Sequence, residues 1–167
     1  MPLFGKSRIS RLAGQARAFL EAHWEPPCSS PVRFSLTAEP VDVDEALKAE
    51  LKRAVEETFV DRVNAHIRDG GLREPAVYRA AQLDRRLFSK IMSDRAYRPA
   101  RDTAIALALG LRLSFPQAQE LLSRAGYTLS HSVRRDVILE YFFRQQAYNL
   151  TDINLVLSEL GEKPLGR

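Results

Sequence analysis

The feature that most constrains the fold is the stretch from Leu72 to Leu113, where short helical patterns alternate with turn and loop signals. Two short helices joined by a tight turn are followed by a basic loop and then by an apolar helix. This is the layout of a helix-turn-helix, at about 73–94, in which the second helix can enter a DNA major groove. The sequence therefore predicts an all-α fold built around this motif.

Apolar residues at helical spacing predict the seam between the two helices of the motif. These residues are Val77, Ala81, Leu83, Phe88 and Ile91. Asp84 is expected to cap the N-terminus of the second helix, which runs to Ser93. The opposite face of that helix is polar, and we expect it to be exposed. We define this basic face as Arg85, Arg86, Ser89, Lys90 and Ser93.

The basic face has side chains suited to reading base edges. Arginine binds guanine with two hydrogen bonds, lysine reaches guanine or phosphate, and serine adds weaker bonds. Arg95, Arg98 and Arg101 follow in the loop, where we expect them to contact phosphates. An alternative is that the basic face is simply solvated, and that the loop arginines pair with Asp94, Asp102 or the acidic helix before the motif.

The distribution of charge favours nucleic-acid binding more than the net charge does. The chain has 167 residues, a formal net charge of +4, and the 45% hydrophobic and 28% charged content typical of a soluble globular protein. Between Arg79 and Arg101, seven basic residues are opposed by only two acidic ones. The segment from Glu39 to Glu57 is predominantly acidic, so the positive charge is concentrated on the motif.

The chain divides into an N-terminal part, 1–42, and a helical domain, 43–167. The N-terminal part contains an amphipathic helix, Ile9–Trp24, and a Pro/Ser-rich linker in which Val32–Leu36 alternates like a brief strand. We expect this helix to dock on the domain, with dimerisation and membrane binding as less favoured alternatives. The apolar pattern from residue 43 predicts either one long helix or two joined near Thr58.

Further helices are predicted after the motif. The apolar helix is expected to start at Asp102 or Thr103, and a capping box of Ser114 and Gln117 introduces the next one. Two C-terminal helices follow, at about Val133–Gln146 and, capped by Thr151, at Asp152–Leu160. With the helices that precede them, they make six to eight helices from residue 43 onward.

Four consecutive pieces of the chain carry a resemblance to a known family: DRRLFSKIMSD, YRPARDT, AIALALGLRL with its glycine at Gly110, and SFPQAQELLSRAGY. They resemble the phage-repressor-like, Xre-type helix-turn-helix domains, in which this glycine belongs to the stop after the apolar helix. The resemblance implies a five-helix repressor-like domain, here with extra C-terminal helices and an N-terminal amphipathic helix. It also implies a sequence-specific transcription regulator that binds double-stranded DNA.

Two residues depart from that family pattern. Gln82 stands where the family usually has glycine, so we expect a left-handed backbone there at a modest cost in strain. Tyr78 stands where the family prefers alanine, so we expect either a wider helix crossing or a register shifted by one. A wider block, from about Phe59 to Gly166, is similar to a less-characterised bacterial group, which suits an accessory role as well as a regulator.

The sequence contains few groups that could carry catalysis or hold a metal. His23, His66 and His131 are scattered, and Cys28 is the only cysteine, so no metal-ligand spacing is present. No nucleophile motif, phosphate-binding glycine loop or carboxylate pair is found, and Asp136 and Glu140 are expected to be surface groups. We therefore expect a cytoplasmic protein that is not an enzyme and has no cofactor, no metal and no membrane partner.

Two functions are left open by the sequence. The first is DNA-binding regulation by the helix Asp84–Ser93, with double-stranded DNA as the partner and with a homodimer required to read two half-sites. The alternative is a protein-protein interaction or accessory module that keeps the fold without reading DNA. Arginines of the basic face tied up in internal salt bridges, or an exposed apolar patch, would favour the alternative.

Overall fold

The structure, a computed structural model, describes residues 3–25 and 57–166, with side chains from residue 8 onward. These residues form eight helices and no strand, which confirms the all-α prediction for this part of the chain. The boundary at residue 42, the segment Val32–Leu36 and Cys28 lie outside the described residues. None of the described helices is both long and apolar enough to cross a membrane. The helices are α1 (Leu3–His23), α2 (Phe59–Asp69), α3 (Glu74–Ala80), α4 (Arg85–Ser93), α5 (Arg101–Gly110), α6 (Phe115–Arg124), α7 (Arg134–Arg144) and α8 (Leu150–Glu159).

Side-chain caps determine where several helices begin. Thr58 has an extended backbone and forms a capping box with Asp61, so a new helix starts at Phe59 and one unbroken helix through this point is excluded. The predicted caps at Asp84 and at Ser114 with Gln117 are confirmed.

Two predicted helix starts are wrong. The apolar helix α5 begins at Arg101, before both predicted positions, and Asp102 lies in its first turn. The last helix is capped by Asn149, whose side chain accepts a hydrogen bond from the backbone N–H of Thr151. Thr151 is therefore already helical, and its hydroxyl accepts a hydrogen bond from Gln82 instead.

Helix α5 lies at the centre of the core. All seven residues from Ala104 to Gly110 are buried, and α5 packs against α3 on one side and α6 on the other. Helix α1 lies across α7 and α8 and buries Ala13, Ala16 and Leu20 there. The docking of the N-terminal helix on the chain's own surface is thereby confirmed, and its apolar face is occupied.

The crossing of α3 over α5 depends on Gly110. A Cβ atom at this position would lie 2.8 Å from the carbonyl oxygen of Val77 and 3.1 Å from the backbone nitrogen of Ala81. Tyr78 is one residue away from this contact and packs against Phe88, with ring centroids 5.7 Å apart. The tyrosine side chain therefore lies outside the close contact and does not clash.

Six helices end in the same hydrogen-bonded Schellman motif, in which one residue takes a left-handed backbone. In α2, α6 and α8 this residue is a glycine. In α3, α5 and α7 it is Gln82, Arg112 or Gln146, with φ of 52°, 55° and 52°. The expected left-handed conformation of Gln82 is confirmed. At the end of α5 the left-handed residue is Arg112, whereas Gly110 serves the close helix crossing.

Replacing Gly110 by alanine is expected to lower the free energy of unfolding by about 2 kcal/mol, because the new methyl group meets backbone atoms that cannot move aside. The matched control is Gly14→Ala in α1, where a Cβ would have no atom within 4 Å. Because alanine favours helix over glycine, the control is expected to gain about 0.5–1 kcal/mol. Urea unfolding followed by circular dichroism measures both, and equal effects would contradict the close crossing.

Gln145 and Gln146 provide a second matched pair at the end of α7. Gln146→Gly is expected to raise the free energy of unfolding by about 1 kcal/mol, because glycine adopts a left-handed backbone without steric cost. Gln145 has a right-handed helical backbone (φ −80°), so Gln145→Gly is expected to be destabilising by about 0.5–1 kcal/mol. Thermal unfolding of the two variants should shift in opposite directions; shifts of the same sign would contradict the strain at Gln146.

Candidate nucleic-acid interface

Helices α3 and α4, joined by residues 81–84, occupy the segment for which the sequence predicts a helix-turn-helix. Four of the five predicted seam residues are buried, and Leu83 is partly buried. Asp84 caps α4 by accepting a hydrogen bond of 2.7 Å from the backbone N–H of Arg86. Because Phe88 and Ile91 face the core, the opposite side of α4 is turned to solvent.

All five residues of the basic face are exposed. Within the described part of the chain, Arg85, Arg86 and Lys90 form no ion pair; the Ser93 hydroxyl donates a hydrogen bond to the carbonyl of Lys90. The Lys90 ammonium lies 5.8 Å from the centre of the Tyr97 ring. Within this part of the chain, the cations of the basic face are therefore available to an external anion.

The position of Arg85 and Arg86 on α4 is electrostatically unfavourable for the isolated protein. They occupy the first turn, where the helix dipole is positive and acidic residues are preferred, and α4 has no acidic residue in this turn. Only the capping carboxylate of Asp84 offsets this concentration of positive charge. A bound polyanion would relieve the repulsion, so the N-terminus of α4 is suited to phosphate or to electronegative base edges.

The loop 94–100 is held at its start by an ion pair. The Arg95 Nε atom lies 3.0 and 2.8 Å from the two carboxylate oxygens of Asp61 on α2. The backbone N–H of Thr58, and next the Arg95 guanidinium, hold the pKa of Asp61 below its ordinary value. Arg95 is therefore in an ion pair. This agrees with the alternative prediction that the loop arginines pair with acidic side chains of the helix before the motif.

The end of the loop is held by a more buried pair. Arg101 donates a hydrogen bond of 2.6 Å to Asp136 on α7, whose side chain is 1% exposed, and another to the carbonyl of Thr128. Asp136 also accepts a hydrogen bond from the backbone N–H of Ser130. The prediction that Asp136 is a surface group is wrong, because the carboxylate is needed inside to hold Arg101.

Two more contacts restrict the loop. The hydroxyl of Tyr127 donates a hydrogen bond of 3.2 Å to the carbonyl of Pro99, and Arg135 binds Asp102 through two hydrogen bonds of 2.9 Å. Arg98 is exposed and has no ion pair within the described residues. Of the three loop arginines predicted to contact phosphate, Arg98 alone is both exposed and uncommitted in this part of the chain.

Away from the loop, another carboxylate, that of Glu140 on α7, is engaged in ion pairs. The Glu140 side chain is buried, which corrects the expectation that it is a surface group, and it lies 2.7 Å from His131 and 2.6 Å from Arg144. No cluster of three or more histidine, cysteine or acidic side chains able to hold a metal ion occurs in the described residues.

No protein-family model, curated protein or solved structure matches this chain. The basic face of α4 is therefore interpreted from its own geometry and charge.

Arg101 and Arg98 should respond differently to truncation. Arg101→Ala leaves the buried Asp136 carboxylate without its cation, so we expect the free energy of unfolding to fall by about 2 kcal/mol, after allowance for the partial exposure of the arginine. Arg98→Ala is the control from the same loop and is expected to change stability by less than about 0.5 kcal/mol. Chemical denaturation gives the free energy of unfolding of both variants. An Arg101→Ala variant as stable as the unaltered protein would show that the pair does not hold the loop.

Proposed function

We propose that this chain is a sequence-specific DNA-binding transcription regulator in which α4 enters the major groove. In this proposal α2 to α6 make up a repressor-like five-helix domain, with α3 and α4 as its second and third helices. The observation that carries the proposal is the pair Arg85 and Arg86, exposed at the positive end of α4 without ion-pair partners in the described residues. The function needs no catalytic group, cofactor or metal.

The position of each side chain along α4 suggests its role. Residues at the N-terminus of a recognition helix contact base edges, so Arg85, Arg86 and Ser89 are assigned to bases. Lys90 lies beside the loop, above the Tyr97 ring, and is assigned to phosphate together with Arg98. Ser93, at the far end of the helix, is assigned a weaker contact to the backbone of the DNA.

The proposal assigns Arg95 and Arg101 a different role from the phosphate contacts expected from sequence. Each is engaged with a carboxylate, Asp61 or Asp136, on a helix outside the motif. A guanidinium already paired gains less from a phosphate, because the existing pair must first be broken. These two arginines are therefore proposed to position the loop that presents Arg98.

Of the two features that would favour a pure interaction module, the first is missing from the described residues. The arginines of the basic face are not in internal salt bridges there. The large apolar side chains exposed in these residues are Trp24, Val133 and Leu155, and Trp24 is partly covered by the Arg134 guanidinium. Reading two half-sites would require a homodimer, which stays a prediction.

The central test is charge reversal of Arg85 and Arg86. A DNA site is first selected from a randomised duplex pool with the unaltered protein, and affinity is then measured by fluorescence anisotropy at two salt concentrations. Arg85→Glu with Arg86→Glu is expected to abolish binding, because two base contacts are lost and two negative charges face the groove. Circular dichroism checks that the helices are retained.

The matched control is Arg11→Glu with Arg17→Glu on α1, which makes the same change in net charge at exposed positions without ion pairs in the described residues. If the two double variants lose affinity equally, only the net charge matters and α4 is not the reading helix. If the unaltered protein shows no salt-sensitive binding at micromolar concentration, the proposed function is wrong.

Arg98→Ala should reveal a phosphate contact. It is expected to weaken binding to all sequences alike and to reduce the slope of log affinity against log salt by about 0.9, the value for one phosphate contact. Arg85→Ala is instead expected to relax preference at one base pair, at a cost of about 1–3 kcal/mol. Titrations of both variants against the selected site and a scrambled site separate the two behaviours. An unchanged slope for Arg98→Ala would remove Arg98 from the interface.

A further inference from the structure

A cavity of about 590 Å³ lies behind the motif, on the side of α3 that faces α1, α7 and α8. We call it the rear cavity. Its volume is in the range of small-molecule sites. Leu12, Ala147 and Tyr148, which are partly buried, contribute apolar surface, whereas the exposed residues Arg79, Gln82, Arg112 and Gln146 line it with polar side chains. This combination of an apolar floor and convergent polar groups is typical of a ligand site.

The three strained residues of the described chain all line this cavity. Gln82, Arg112 and Gln146 are the only non-glycine residues described with a positive φ. Glycine performs the same capping role at the ends of α2, α6 and α8, away from the cavity. A left-handed backbone strains any residue that carries a Cβ atom, so glycine would be the more stable choice at all six ends. What the three exceptions share is that their side chains face one space, and backbone strain concentrates at functional sites.

The polar lining carries excess positive charge. Three arginines, Arg8, Arg79 and Arg112, line the cavity with one carboxylate, Asp152, and Arg8 already pairs with it at 3.2 Å. In the described residues, Arg79, Arg112 and Gln146 have no side-chain hydrogen bond or ion pair. Arg79 and Arg112 stand near the negative ends of α3 and α5, which lowers the cost of placing them there. The negative end of α5 favours the charge of Arg112 but does not account for its strained backbone.

We propose that the rear cavity binds a small organic anion, a carboxylate or phosphate carried on an apolar or aromatic body. Arg79 and Arg112 bind the anionic group through charge-assisted hydrogen bonds, and Gln146 contributes an amide. The body of the ligand packs on Leu12, Ala147 and Tyr148. The exposed guanidinium groups of Arg79 and Arg112, which have no ion pair within the described residues, match the anionic group, and the apolar surface matches the body of such a molecule.

Gln82 links the rear cavity to the motif. It is the left-handed residue of the turn between α3 and α4, and its Nε2 atom donates a hydrogen bond of 2.9 Å to the hydroxyl of Thr151 on α8. A ligand in the cavity contacts this turn and can displace that bond. Occupancy therefore changes the placement of α4 relative to α8, and with it the affinity for DNA. This second step rests on the proposed function, whereas the binding step does not.

Binding is tested directly by NMR on the ¹⁵N-labelled full chain, without DNA. The probes are salicylate and phenyl phosphate, which have both an anion and a ring, inorganic phosphate, which has no ring, and benzyl alcohol, which has no charge. We expect saturable shifts of the backbone amides of Arg112, Gln146 and Ala147 with at least one of the two charged aromatic probes. Phosphate and benzyl alcohol are expected to bind more weakly than that probe, because phosphate lacks the ring and benzyl alcohol lacks the charge.

Arg79→Ala with Arg112→Ala is expected to weaken the binding of that probe about tenfold or more, as for the loss of charge-assisted hydrogen bonds. Arg11→Ala with Arg17→Ala is the matched control and should bind like the unaltered protein. Gln146→Gly should also weaken binding, although it relieves strain and raises the unfolding temperature. No shift with either charged aromatic probe up to its solubility limit, equal binding of benzyl alcohol, or unchanged binding by both cavity variants would overturn the site.

The regulatory step has its own readout. With the cavity saturated by the bound probe, the dissociation constant for the selected DNA site is expected to change about fivefold or more, in the range of ordinary allosteric coupling. The Arg79→Ala, Arg112→Ala variant should bind DNA with the same constant whether the probe is present or absent. A bound probe that leaves DNA affinity unchanged would overturn the coupling. Absence of DNA binding altogether would overturn the proposed function, and the NMR result would stand by itself.

Discussion

The contact between α3 and Gly110 is the constraint on which the rest of the motif depends. At this point backbone meets backbone, since a Cβ on Gly110 would lie 2.8 Å from the carbonyl of Val77. Helix α5 is buried from Ala104 to Gly110 and therefore fixed, so the close approach fixes α3 as well. The four-residue turn then determines where α4 lies, with Phe88 and Ile91 inward and the basic face outward. Small changes at this crossing are thereby transmitted to the surface that we assign to DNA.

Ion pairs place the loop after α4. Arg95 is held by Asp61 on α2 and Arg101 by Asp136 on α7, so the loop is connected to two helices that belong to different parts of the fold. The arginines between positions 95 and 101 therefore have two different environments. Arg95 and Arg101, which have a carboxylate in reach, hold the loop in place, whereas Arg98 between them is exposed and has no ion pair within the described residues.

Much of the fold could be predicted from local patterns. The spacing of Val77, Ala81, Phe88 and Ile91 predicted the seam, and the capping residue Asp84 predicted the start of α4, because both depend on neighbours within a few positions. Exposure of the basic face followed from the same periodicity. Local patterns do not predict the partners of Arg95 and Arg101, because these partners lie 34 and 35 residues away in the sequence. Asp136 looked like an ordinary surface acid because burial of a carboxylate depends on tertiary contacts.

The pairing of Arg101 with Asp136 connects the loop to α7, a helix outside the five-helix domain proposed to read DNA. By its pattern of helices, a DNA-reading unit would end with α6, and α7 and α8 would be an appendage. The carboxylate that holds the loop is nevertheless on α7, and α7 in turn is covered by α1. A fragment cut after α6 would keep every residue assigned to DNA and lose the carboxylate that holds the end of the loop presenting Arg98. The placement of this loop therefore depends on contacts beyond those five helices, including the contact of α1 with α7.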